Sequence, residues 1–289
     1  MLNDPQIEAV SVCVRNSDHS KVTVDALRAG KHVLCEKPMA VSLDECKEMV
    51  KTAEKTGKKL MIGHNQRFNR THMKAKELIQ NGAIGKVLSF KTTFGHGGPE
   101  TWTIDKKNVW FFDKRFSAFG AMADLGVHKT DLLIFLLETK VKKVTAVLKT
   151  LDKKDAEGNL INVDDNAICI YEMENGAVGT MTASWTYYGE EDNSTIIYGS
   201  EGILKIYDDP NYSIVRIGKD GTKIYYELDK MQTNDNQTKS GIIDSWVAAI
   251  KNDTVPEVNG KDALDAMKAI FAALESSESG QTVEITEED

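Results

Sequence analysis

The chain has 289 residues, is 41% hydrophobic and 28% charged, and carries a formal net charge of −8. A chain of that length buries a large core and usually divides into two domains, its composition is that of an ordinary soluble protein, and its negative charge disfavours nucleic acid and anionic membranes as partners. No apolar run approaches the roughly 18 residues needed to span a bilayer and Met1-Leu2-Asn3-Asp4-Pro5 has no signal-peptide character, so a cytoplasmic location is expected.

Cys13, Cys35, Cys46 and Cys169 form no Cys-x-x-Cys pair and no zinc spacing, and two of them lie in apolar strand-like runs. The sequons at Asn193, Asn236 and Asn252 carry little weight without a secretory signal.

Elements alternate cleanly over the first 66 residues. Residues 9–14 read as a strand, and 17–29 as a helix that Ser17 or Asp18 is fitted to cap and Gly30 closes. His32-Val33-Leu34-Cys35 is a second, buried strand that stops at Glu36-Lys37-Pro38. Proline keeps the residue before it extended. Lys37 is thereby fixed at the carboxyl end of a strand, the edge where open α/β sheets bind ligands. Lys-Pro also serves elsewhere as plain strand punctuation with a solvated ammonium. Ser42 and Glu45 form a capping box for a helix to Thr56, with Leu43, Cys46, Met49, Val50 and Ala53 on its apolar face. Leu60-Met61-Ile62-Gly63 is a third strand. This β-α-β-α-β order with short turns implies parallel strands.

After Arg67 the texture changes. Residues 69–80 predict a helix, 86–95 a strand and 119–137 an apolar helix. About seven strand candidates follow between 141 and 226, including 143–150, 167–173, 177–185, 194–198, 203–207 and 214–217. Only turns separate them, which predicts an antiparallel sheet. Two amphipathic helices close the chain, one with the stripe Ile242, Ile243, Trp246, Val247 and Ile250, the other with Ala263, Leu264, Met267, Ile270, Phe271 and Leu274. Residues 281–285 suit a last edge strand. The expected architecture is a parallel α/β unit followed by an α+β domain on an antiparallel sheet.

Three strand ends carry polar clusters at one sheet edge: Asn16-Ser17-Asp18-His19, Glu36-Lys37-Pro38 and His64-Asn65-Gln66-Arg67. In Asp124-Leu125-Gly126-Val127-His128 the spacing of four puts carboxylate and imidazole on one helical face. A neighbouring carboxylate raises imidazole basicity and orients the ring, as a general base for an alcohol proton requires. The same pair also reads as a local helical polar contact or half of a metal site. His64, His72 and His96 are too scattered to complete such a site, and no metal is expected.

Together, Asn16-Ser17-Asp18-His19, Gly30-Lys31-His32-Val33-Leu34-Cys35-Glu36-Lys37-Pro38, Gly63-His64-Asn65-Gln66-Arg67-Phe68 and Asp124-Leu125-Gly126-Val127-His128 resemble the Gfo/Idh/MocA family of NAD(P)-dependent oxidoreductases. They stand in that family's order over essentially the whole chain. The resemblance implies a partial Rossmann-type sheet over 1–66 and a substrate and oligomerisation domain over 67–289. It implies that His128 takes the hydroxyl proton of a sugar or polyol while Lys37 bonds the oxygen, and that Asp124 orients His128 or holds a substrate hydroxyl. Asn16, His19, Glu36, Lys37, Pro38 and, more weakly, Arg67 are the implied NAD or NADP contacts, and His96 and Trp110 the sugar contacts. The antiparallel sheet is the implied contact face of a homodimer or homotetramer.

One family feature is missing. A dinucleotide domain opens with strand, Gly-x-Gly-x-x-Gly and helix, the turn that takes the pyrophosphate. Neither Gly95-His96-Gly97-Gly98 nor Gly199-Ser200-Glu201-Gly202 follows a parallel strand into a helix. Against the usual six-strand order, on the order of 60 residues of the nucleotide domain are absent, and Met1 reads as an internal methionine of a longer oxidoreductase. The expectation is a crippled dehydrogenase. The alternative is a non-catalytic sugar-binding, regulatory or assembly protein of the same descent.

Overall fold

Two sheets are built from separate stretches of the sequence, and the last helix packs against both. The computed structural model describes residues 1–106, 108–230 and 239–286, and the Asn236 sequon lies outside them. In the first unit β1 (Ala9–Val12), α1 (His19–Arg28), β2 (His32–Cys35), α2 (Leu43–Thr56) and β3 (Leu60–Ile62) alternate as the turn signals require. The strands lie in the order β1-β2-β3, all parallel. The caps differ from expectation. Neither Ser17 nor Asp18 caps α1 with its side chain, because a 3-10 turn over Asn16–Asp18 leads straight into the helix. At α2 the Ser42 hydroxyl accepts from Glu45 N–H, but Glu45 reaches back to the N–H of Val41 instead of that of Ser42.

The second unit runs α3 (Arg70–Gln80), β4 (Val87–Gly95), α4 (Lys114–Ser117), α5 (Val127–Leu137), then seven strands, β5 (Val141–Lys149), β6 (Asn166–Met173), β7 (Val178–Ser184), β8 (Thr195–Gly199), β9 (Gly202–Ile206), β10 (Ile214–Gly218) and β11 (Lys223–Tyr226). Helices α6 (Ile242–Lys251) and α7 (Gly260–Ser279) and the edge strand β12 (Val283–Glu284) follow. The sheet order is β11-β10-β9-β8-β4-β7-β6-β5-β12. It is mainly antiparallel with one departure: β4 enters between β7 and β8 and runs parallel to β7. The segment between β7 and β8 is long enough to leave the sheet, so these consecutive strands need not pair. Gly179 permits the close approach of β4, since a Cβ there would sit 2.2 Å from the Phe90 carbonyl oxygen.

One sheet face buries Val144, Cys169, Tyr171 and Met181 in the core. The opposite face leaves Val147, Ile168 and Ile170 each more than half exposed. The α6 stripe is only partly used: Trp246 is buried, whereas Ile243 is 62% exposed. A periodic stripe specifies a face but not what covers it.

The predicted helix over 119–137 is α5 preceded by a wider π-helical turn, Met122–Gly126. Asp164 holds its start, accepting from Gly120 N–H at 2.7 Å and Met122 N–H at 2.8 Å. These are helix-end donors without intrahelical partners. The chain also returns to the first sheet. Ile62 N–H donates to the Val258 carbonyl at 3.0 Å, Asn259 bridges Met61, and α7 packs on α2. Residues beyond 67 therefore complete the surroundings of the small sheet.

Candidate active site

The carboxyl ends of β1, β2 and β3 face the π-helical turn and the end of β4 across a cleft of about 550 Å³. Lys37 enters it from the end of β2. Its Nζ donates to Asp124 Oδ1 at 2.7 Å and to the Asp124 carbonyl at 2.9 Å. Trp185, fully buried just after β7, donates its indole N–H to the other carboxylate oxygen at 3.1 Å. Burial alone would raise the Asp124 carboxyl, but Lys37, His96 and the Trp185 donor together hold it below the ordinary carboxylate range.

His128 lines the same cleft one helical turn later, and its Nδ1 has no hydrogen-bond partner. Burial and the charge of Lys37, reinforced by His64 and Lys129, hold its pKa well below the ordinary value. The sequence expectation that Asp124 orients this imidazole and raises its basicity is corrected here. The π-helical turn directs the carboxylate to Lys37 and Trp185, and the net environment of His128 favours the neutral ring.

Asn16, His19, Glu36, Pro38, His96 and Trp110 also line the cleft. His19 also makes contacts within the protein. Its Nδ1 lies 2.7 Å from the Pro38 carbonyl and its Nε2 3.1 Å from that of Val14, and the neutral ring, with one N–H, donates to one of these two carbonyls. Asn16 donates to the Ser117 carbonyl at 3.1 Å. His96 accepts from Gly98 N–H at 2.9 Å, and Trp110 stacks on Phe111 at 3.9 Å between ring centroids. Arg67 is not in the cleft. It turns into the core and grips Asp131 with Nε and Nη2, at 2.8 and 2.5 Å. A buried guanidinium requires such a partner, and the bidentate carboxylate supplies it.

Several lining residues had no site role assigned from the sequence, although Asn65 and Gln66 stood in one of its polar clusters. Asn65 and Gln66 follow β3 at the same edge as Lys37, and their side-chain oxygens Oδ1 and Oε1 are buried without partners. Their place after a strand end was the available signal. Trp102 and Asn193 reach the cleft from loops and Phe111 from the short 3-10 turn Trp110–Phe112, for which periodicity offered none. The two orphaned amide oxygens fit the carboxamide and ribose hydroxyl donors of a nicotinamide riboside.

Comparison with known proteins gives the family of the chain. Residues 1–64 match the family model described as "Oxidoreductase family, NAD-binding Rossmann fold", and residues 72–205 match "GFO/IDH/MocA C-terminal domain". The chain belongs to the Gfo/Idh/MocA family. It is 30% identical over 224 residues to levoglucosan dehydrogenase of Pseudarthrobacter phenanthrenivorans, a match covering 71% of this chain and 56% of that protein. It is 25% identical to myo-inositol 2-dehydrogenase of Thermotoga maritima, covering 99% of this chain and 82% of the other. The crystal structure of an oxidoreductase domain protein from Kribbella flavida superposes with a TM-score of 0.86 at 26% identity, covering 99% of this chain and 83% of that one. The Gfo/Idh/MocA pairing of a small parallel sheet with a large, mainly antiparallel one is thus the fold of this chain. Among the described residues no helix is long and apolar enough to cross a membrane, and no group of side chains is suited to hold a metal.

All six histidines of this family member have lowered pKa values, and burial brings His64 and His72 to about 4. The unfolded chain, with histidines near about 6.5, then binds protons first, so stability falls as pH drops from about 6.5 toward 4. Asp164, raised to about 6 by burial, acts in the opposite sense. Replacing His64 with Gln should flatten this acid limb by up to about 1.4 kcal/mol per pH unit. Urea unfolding at pH 7, 6 and 5 measures it, and an unchanged slope would show that His64 is protonated in the folded state.

Proposed function

We propose that the cleft takes a secondary alcohol of a sugar or polyol and supports hydride exchange with NAD(P). The observation that carries this reading is that Lys37, fixed on Asp124, and His128 line one cleft. An ammonium has three donors, and Asp124 engages Lys37 through two hydrogen bonds, which leaves one for an oxygen in the cleft. An alcohol oxygen bonded there lies within the compass of His128, whose neutral ring accepts the hydroxyl proton. Charge growing on the oxygen is then met by the Lys37 ammonium, already oriented by Asp124. Asn65, Gln66, Asn16 and Glu36 would hold the nicotinamide side, and the cofactor supplies the hydride acceptor. Phe94, Trp102, Trp110 and Phe111 offer apolar faces to sugar C–H groups, with His96 among them.

In this reading residues 1–66 form the nucleotide side and 67–289 the substrate side. The exposed Val147, Ile168 and Ile170 face is the contact between copies of the chain. A second reading is non-catalytic sugar binding or assembly, in which the cleft holds its ligand without hydride exchange.

Lys37→Met and His128→Ala should each lower kcat/KM by roughly 10²–10⁴-fold on whichever inositol, anhydro sugar or aldose is oxidised. Losses below about tenfold in both would remove them from the chemistry. The 289-residue chain itself should bind NADH more weakly than the low-micromolar range. Fluorescence titration checks this: a low-micromolar Kd contradicts the weak-binding expectation, and no saturable binding moves the weight to the non-catalytic reading. Ile168→Glu with Ile170→Glu should convert an oligomer to monomer in sedimentation equilibrium, and an unaltered mass would place the contact elsewhere.

A further inference from the structure

A fully buried lysine and a buried amide remain without a part in this scheme. Lys129 follows His128 on α5, and its Nζ donates to the Asn193 carbonyl at 2.8 Å, to Thr195 Oγ1 at 3.3 Å and to the Ser194 carbonyl at 3.4 Å. An ammonium taken out of water is costly unless oxygens replace the water. Burial pulls its pKa down to about 7 although Asp192 and Glu191 oppose the shift. The side chain holds one short segment in place against helix α5.

That segment is also fastened to β4. Gly95 and Asp192 exchange backbone hydrogen bonds at 2.7 and 2.9 Å, Thr93 N–H donates to the Ser194 carbonyl at 3.0 Å, and the hydroxyls of Thr92 and Thr195 lie 2.7 Å apart. Asn193 sits between these fastenings, lines the cleft and is only 6% exposed. Its side-chain Oδ1 has no partner. A buried acceptor left unpaired is unfavourable, and a donor on a ligand in the cleft would satisfy it. The residue had drawn notice as a sequon, but its burial leaves no room for a glycan there.

We propose that Asn193 recognises the substrate, its Oδ1 accepting a hydrogen bond from one substrate hydroxyl, and that Lys129 is the positioning residue that holds Asn193 at a set distance from His128. Because Lys129 and His128 are consecutive on α5, the recognition group and the proton acceptor are referred to the same helix. The inference rests on the polyol reading of the cleft and adds which hydroxyl-directed contact selects among polyols.

The test uses the 289-residue chain with myo-inositol, levoglucosan and D-glucose, each beside its single-position deoxy analogues. Binding is followed by saturation-transfer NMR, and kcat and KM wherever NAD⁺ supports turnover. Asn193→Ala should weaken binding of the preferred parent by about 10–100-fold, leave one deoxy analogue unaffected, and change kcat by less than about threefold. Lys129→Met should reproduce that selective loss, and the double variant should bind no more weakly than Asn193→Ala alone, as expected for two residues acting through one contact. Lys129→Arg, which keeps donors at the same place, should recover part of the loss and serves if the Met variant does not fold. Selective loss of binding without turnover in the wild type would uphold this inference while overturning the reaction. An equal loss for the parent and all deoxy analogues would overturn it, as would wild-type binding by Lys129→Met or no binding of any of these polyols by the wild type.

Discussion

Lys37 on Asp124 is the contact that makes two separate sheets into one site. The lysine ends a strand of the small sheet, and the carboxylate lies on the turn that leads into α5, 87 residues later. Both groups are largely out of water, where an ion pair contributes little net stability but strands a charge if either partner is lost. The pair is further restrained by the Trp185 indole and by the carbonyl of Asp124 itself. Its consequence is positional: the ammonium is held at one place and in one orientation before any ligand arrives.

That fixed positive charge also acts on the imidazoles around it. Buried imidazoles at 64, 96 and 128 all have lowered pKa values, burial first and Lys37 among the further causes in each. One cation held among these rings is placed to meet negative charge on a ligand oxygen. Asp164 contributes from a distance. By taking the free N–H groups at the start of the π-helical turn, it sets where Asp124 and His128 lie relative to the end of β2.

Some of this site was legible in the chain and some was not. Lys37 was legible because proline leaves its predecessor little conformational choice and Gly30 and Gly57 punctuate the surrounding elements. Asp124 and His128 were legible as a pair by their spacing, but not by their partners: a wider helical turn sent the carboxylate to a lysine instead of the imidazole. Arg67 stood in the right motif and proved to be a brace, since a buried arginine satisfies its donors with whatever oxygens the fold brings near. Asn193 was legible only as a sequon and Trp185 only as the end of a strand, because no local pattern says that a loop amide or a strand-end indole will meet the cleft or its carboxylate.

The sequence by itself determined the local units: the alternation of strand and helix over the first 66 residues, the seven strands between 141 and 226, and the polar clusters at three strand ends. Those depend on periodicity, glycine, proline and caps, which act over a few residues. Tertiary structure alone decided that β4 lies between β7 and β8, that the 258–260 segment borders β3, and which buried acceptor each buried donor meets. These are contacts between residues far apart in the chain, selected by packing and by the cost of leaving a buried polar group unpaired, and no short pattern encodes them.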